Sequence, residues 1–203
     1  MNTNLNTLHT EHHMHKLSCQ SGNAWIAHSH PATFRTEIVS GGSERLVAGV
    51  PAGDVTIFKR LVESIEAPYF LLYVLHTPRG EGQAGRYQSP SIGLDELESF
   101  LERYAAFLSG DARFDIWAYS PSENATVIWD RHDLIYAYGA TERFAMALRE
   151  LGFEQGTPGI QFPHQHHYRA EFDADASDVL HAFEWCHSPL HPEDEQGYRT
   201  YST

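Results

Sequence analysis

Residues 113–138 read RFDIWAYSPSENATVIWDRHDLIYAY, and this stretch decides the fold. Three runs rich in aromatic and β-branched residues, 113–119, 125–129 and 134–138, are separated by clusters of Ser, Pro, Asn and Asp at 120–124 and 130–133. Short strands punctuated by turn chemistry of this kind predict an antiparallel meander. Side chains alternate between the two faces of a sheet, so the register of the turns determines what each face carries. Pairing Tyr119 with Ala125 and Trp129 with Leu134 collects Phe114, Ile116, Ala118, Ile128, Ile135 and Ala137 on one face. The other face then holds Asp115, Trp117, Tyr119, Trp129, Tyr136 and Tyr138.

The aliphatic face suits a covering layer of helices, because branched side chains pack densely and leave no polar atom to satisfy. The aromatic face carries N–H and O–H groups that want partners, which suits a half-wet cleft or an interface. Trp117, Tyr119, Trp129, Tyr136 and Tyr138 are therefore the candidate binding residues of the sheet.

On the N-terminal side of the meander, residues 33–39 and 45–50 read as a hairpin across Gly41 and Gly42. Asp54 can cap a helix on which Val55, Phe58, Leu61, Val62 and Ile65 form one stripe, and Pro68 follows its end. Residues 69–76 are a continuous apolar run of strand length, expected to be central and buried on both faces. Leu94, Leu97, Phe100, Leu101, Tyr104, Phe107 and Leu108 mark a second helix, closed by Gly110.

On the C-terminal side, residues 141–151 form a third helix ended by Gly152, and residues 166–172 a last strand. A final helix, capped by Asp175, carries Val179, Leu180, Phe183 and Cys186. The order β-β-α-β-α-β-β-β-α-β-α gives a single α+β domain over residues 33–187, with a mainly antiparallel sheet and helices packed on one face. Residues 1–32, rich in Asn, Thr, Ser and His without an apolar period, read as a mobile polar leader, and residues 188–203 as a polar tail.

Charge narrows the partners. With 27 acidic and 14 basic residues the net charge is −13, a field that repels nucleic-acid phosphates and anionic lipid. No nucleic-acid or membrane partner is expected, whereas a basic protein or a metal cation fits. Cys19 and Cys186 are the only cysteines, too few for a disulfide framework or a multi-Cys zinc site. A reducing, cytoplasmic setting agrees with this, as does the lack of a signal-like start or of 18 consecutive apolar residues.

Three further features concern chemistry. His164 and His166 stand at i, i+2 entering the last strand, so both rings project to one side and can share one divalent metal such as zinc. That metal needs a third ligand from elsewhere, with His76, Asp130, His132 and Asp133 as the candidates. No HExxH or paired-Cys pattern occurs among the 14 histidines, so the motifs by themselves lead to no expected cofactor, and the metal stands as the alternative. His9, His12, His13 and His15 would chelate only loosely. Second, residues 77–93 form a long glycine-containing loop that reads first as a mobile surface excursion; its Arg79 and Arg86 offer an anion site as the alternative, although neither GxxxxGK[ST] nor GxGxxG spacing is present. Third, no GxSxG elbow occurs, Cys186 falls on an apolar stripe, and Asp130 and Asp133 read as turn formers.

These features point first to a non-catalytic interaction or regulatory protein, for example of the inhibitor or immunity type with a basic protein partner, or a homodimer through the aromatic face. The alternatives are a metal-dependent enzyme using the histidine cluster and a small-molecule binding protein.

Overall fold

The computed structural model describes residues 14–39 and 41–194. The chain runs β1 (Leu17–Ser21), β2 (Ala24–Ala27), β3 (Thr33–Ile38), β4 (Glu44–Gly49), α1 (Val55–Val62), β5 (Phe70–Leu75), β6 (Gly85–Gln88), α2 (Leu94–Arg103) and α3 (Ala105–Gly110). It continues through β7 (Phe114–Ser120), β8 (Ala125–Trp129), β9 (Leu134–Tyr138), α4 (Thr141–Glu150), β10 (Glu154–Gln155), β11 (His164–His166), α5 (Asp173–Val179) and β12 (Cys186–Ser188). The fold is α+β. A nine-stranded sheet has the order β10-β3-β4-β9-β8-β7-β5-β6-β12, and a small second sheet has the order β11-β1-β2. Every strand pair is antiparallel except β10 with β3. Among the described residues no helix is long and apolar enough to cross a membrane.

The meander forms, but both turns place the register one residue from expectation. Ser120 pairs with Ala125, and Trp129 pairs with Ile135. Five residues, 130–134, separate the paired Trp129 and Ile135, and Asp133 takes a left-handed φ of 55°. A one-residue slip moves a side chain to the opposite face. Trp129 therefore belongs to the core with Phe114, Ile116, Ala118, Val127, Ile135 and Ala137, and Ile128 moves to the other face beside Trp117 and Tyr136. Trp129 is fully buried and donates its indole N–H to Asp133 Oδ1 at 3.0 Å, so its polar atom is satisfied inside.

The helices cover that inner face. Asp54 caps α1 by accepting from the Thr56 backbone N–H at 2.9 Å, which leaves Ile57, Phe58, Leu61 and Val62 buried against the sheet. The helix expected over residues 94–108 breaks at Tyr104 into α2 and α3, yet Phe100, Leu101, Phe107 and Leu108 still join one core. At roughly 1.5–3 kcal/mol per buried large apolar side chain, this layer is the main stabilising element.

Several segments differ from the sequence reading. Residues 17–27 of the expected leader form a hairpin in which Leu17 is fully buried, while residues 1–13 lie outside the described part. The long loop contains a strand, β6, on the far side of β5. The last strand is three residues, His164–His166, and it pairs with β1 in the small sheet; residues 170–172, expected as its end, make a 3-10 turn. The final helix stops at Val179, so Cys186 is exposed in β12 and not on an apolar stripe.

A buried charge cluster fixes the small sheet to the large one. Arg113, with a fully buried side chain, bonds Asp111 at 2.8 Å and Glu81 at 3.0 Å, and also donates to the Arg169 carbonyl. Asp111 in turn accepts from the Arg169 backbone N–H, and the His167 carbonyl accepts from Ala112 N–H. These contacts hold the chain immediately after β11 in place. Lys16 does the same for β1: its ammonium lies 3.2 Å from Asp133 and 3.7 Å over the Trp129 ring.

Candidate metal centre and the outer-face cleft

Three imidazoles from two sheets converge. His132 comes from the connection between β8 and β9, and His164 and His166 from β11. Their ligand atoms lie within 4.8 Å of one another, with ring centroids 4.8 to 5.3 Å apart. His164 and His166 do project to one side, as their i, i+2 spacing requires. Of the four candidates for a third ligand the structure brings His132. His76 instead faces Asp115 at 2.8 Å, and Asp133 is taken by Lys16 and Trp129. Asp130 stands behind the ring of His132.

Hydrogen bonds orient the rings. His132 donates Nδ1–H to Asp130 Oδ2 at 3.0 Å, and His164 donates Nδ1–H to the Phe162 carbonyl at 3.2 Å. A neutral imidazole that donates from Nδ1 keeps a lone pair on Nε2, so both rings retain an acceptor atom that can serve as a ligand. His166 Nε2 is buried and has no hydrogen-bond partner. Three unprotonated nitrogens around one point, two of them oriented by outer partners, make a ligand set for a borderline-soft divalent cation.

Protonation follows from burial and mutual repulsion. Burial pushes His166 down to about 3, with the neighbouring His132 and His164 adding to the effect. Burial also acts to lower His132, but the charge and hydrogen bond of Asp130 outweigh it and raise the pKa. Asp130, although buried, is held below the usual carboxylate range by His132 and by the backbone N–H groups of Leu134 and His132.

A second histidine pair adjoins the three. His30, 3% exposed, lies with Nε2 2.9 Å from the His132 carbonyl, which can only accept. Its Nδ1 must therefore accept from His28 Nε2, 3.4 Å away. Burial, then the repulsion of His30 and His164, lowers His28 to about 4. Neither residue was singled out from sequence, although His28 and His30 repeat the i, i+2 spacing of His164 and His166.

Among the described residues no helix contributes to the cleft on the outer face of the nine-stranded sheet. Trp117, Ile128 and Tyr136 lie side by side across β7, β8 and β9. With Arg86, Asp130, Arg131, His132 and Tyr138 they line a cleft of about 620 Å³. His132, Asp130 and His164 also line a second hollow of about 330 Å³, so His132 and Asp130 border both.

Of the expected aromatic residues, Trp117, Tyr136 and Tyr138 are brought together in this cleft. Tyr119 shares the face but borders a separate apolar hollow with Phe70 and Leu72, and Trp129 is in the core. The two arginines of the long loop are parted. Arg79 bonds Asp173 at 2.9 Å, whereas Arg86, on β6, bonds Asp194 and lies 5.2 Å over the Trp117 ring. Arg45 and Arg131, both lining the cleft, were not anticipated.

Comparison with protein-family models, curated proteins and solved structures finds no significant match, so the site stands on its own geometry.

Proposed function

We propose that the protein is a metal-dependent enzyme that holds one zinc-like divalent ion on His132, His164 and His166 and keeps a coordination position open to water or substrate. The observation that carries this reading is His166 Nε2: a buried imidazole nitrogen without a partner, in a ring whose ligand atom lies within 4.8 Å of those of His132 and His164. A buried polar atom left unsatisfied costs about 1–3 kcal/mol, and a bound cation removes that cost at His166 Nε2. Three protein ligands beside an open cleft is the arrangement of catalytic zinc, whereas structural zinc has four. A metal there would lower the pKa of its bound water and supply a hydroxide nucleophile near neutral pH.

The test is metal content and coordination in the full chain. Zinc titration by calorimetry should give one site that the His164→Ala/His166→Ala variant lacks. Cobalt(II) in that site should give a visible spectrum that changes as its water ionises and again when azide is added. Equal stoichiometry in wild type and variant rejects the site, and a spectrum indifferent to pH and azide makes the metal structural.

A second reading, a non-catalytic interaction protein with a basic partner or a second copy, is favoured by β2. All four of its residues are exposed at the edge of the small sheet, including Trp25 at 44% and Ile26 at 49%. An unpaired edge with apolar side chains is a template for strand addition. Self-association or capture of a basic partner abolished by Trp25→Ser/Ile26→Ser, with the histidine variants unaffected, would favour this reading over the first.

A further inference from the structure

Resting on the metal reading above, we propose that the outer-face cleft takes a small planar molecule bearing an oxyanion, a carboxylate or a phosphate, with that group seated between Arg131 and Arg86. Arg131 is the first reason. It lies between Asp130 and His132 in the chain, is only 7% exposed, and lines the cleft. Among the described residues no carboxylate forms an ion pair with its guanidinium, and no hydrogen bond is made by its side chain; only its backbone N–H is engaged, donating to Asp115 Oδ1 at 2.8 Å. Its guanidinium nitrogens are not among the buried, partnerless atoms of the described residues, so the cation meets the solvent of the cleft, where an incoming anion can pair with it.

The carboxylates around it are already committed. Asp115 accepts from His76 at 2.8 Å as well as from the Arg131 backbone, and Asp130 holds His132. Arg45, over the Tyr136 ring, is ion-paired with Glu37 at 2.6 Å, a carboxylate it shares with Arg35. Glu193 is exposed at the rim. Among the described residues Arg131 is thus the arginine of the cleft that has no ion-paired carboxylate.

Arg86 supplies the second reason. Its Nη1 meets both oxygens of Asp194, at 3.1 and 3.2 Å, and that carboxylate is only 3% exposed. Asp194 comes from the segment after β12, at the end of the described chain, and sits in the cleft as an internal carboxylate on an arginine already stacked over Trp117. An external carboxylate or phosphate satisfies the same donors, and the planar guanidinium suits two-oxygen recognition.

Trp117 supplies the third. Its indole N–H is buried without an acceptor, and its ring, with Tyr136 and Tyr138, provides flat apolar surface for the body of the ligand. The opposite end of such a molecule then lies toward His132, at the margin of the proposed metal.

The experiment titrates benzoate, phenyl phosphate and neutral benzamide into the full chain, read by calorimetry and tryptophan fluorescence, with and without zinc. Because the arginines do not need the metal, at least one anion should bind the zinc-free protein and benzamide should not. Arg131→Gln and Arg86→Gln should each weaken that anion tenfold or more, and Asp194→Asn should tighten it several-fold by releasing Arg86. Preference for benzoate assigns a carboxylate substrate, and preference for phenyl phosphate a phosphate monoester. Anion binding without zinc binding would reject the metal reading and keep this one. Zinc binding with no anion affinity, equal affinity for benzamide, or unchanged affinity in both folded arginine variants would overturn the proposal.

Discussion

Asp130 Oδ2 receives the Nδ1–H of His132 at 3.0 Å, while its Oδ1 accepts the backbone N–H groups of His132 and Leu134, each at 2.9 Å. One carboxylate therefore shapes the turn and aims the ring it carries. Asp130→Asn keeps an acceptor for the backbone but places an amide against His132 Nδ1, which removes the charge that raises ligand basicity. Zinc affinity should fall roughly 10- to 100-fold, the usual cost of losing such an outer partner. Competition with a chelating dye measures it, and unchanged affinity would mean that His132 is not a ligand.

The register of the meander is tested by charge insertion. Val127 faces the helices and Ile128 the open cleft. Val127→Asp should cost on the order of 3–5 kcal/mol, enough to prevent folding, because it buries an unpaired carboxylate. Ile128→Asp should cost far less, about 1 kcal/mol, as an exposed-face substitution. Equal losses in urea denaturation would contradict the observed pairing of Trp129 with Ile135.

Deleting residues 1–30 should leave a poorly packed protein. The deletion removes Lys16 and Leu17, both fully buried, along with the strand that pairs with β11. Lys16→Met is the milder test. Asp133 then loses its cation, and burial has already pushed its pKa up to about 6, so it can take a proton in place of staying charged. The variant should lose about 1–3 kcal/mol at pH 7.5, where that proton is scarce, and less at pH 5.5.

The metal-free protein should lose stability as pH falls from about 6.5 toward 4. His166 at about 3 and His28 at about 4 lie below the unfolded value of 6.5, so the unfolded chain binds more protons across that window and acid favours unfolding. Asp133 works in the opposite sense, since a carboxyl raised from 3.8 to about 6 stabilises the fold at low pH and loses that contribution as pH rises through 6. The two histidine shifts together exceed that one. Thermal unfolding from pH 7.5 to 4.5 checks the sign, and replacing both His28 and His166 with Gln should flatten the profile.

The sequence shows strand and helix positions through their apolar periods, which is why the meander and the Asp54-capped helix are legible from residue 54 to 138. It does not show turn length to the residue. The five residues between the paired Trp129 and Ile135, with Asp133 in a left-handed conformation, reverse which face Trp129 and Ile128 occupy. The leading hairpin is missed for a different reason: its buried surface is mostly Leu17 and the stem of Lys16, which leave no period to detect. The spacing of His164 and His166 was legible because it is local. His132 could only be named among four candidates, since its approach depends on the docking of one sheet against another.

The proposed ligands straddle two sheets: His132 belongs to the connection between neighbouring strands of the large one, while His164 and His166 sit on the strand that pairs with β1. An ion bound to all three is thus a rivet through the seam where the first described strands join the body. Occupancy and attachment of that flap become a single equilibrium, worth about 2.7 kcal/mol when free metal stands at 100 times its dissociation constant. Metal supply would thereby add to the stability of this seam, beside the Lys16–Asp133 and Arg113–Asp111 contacts that hold it without an ion.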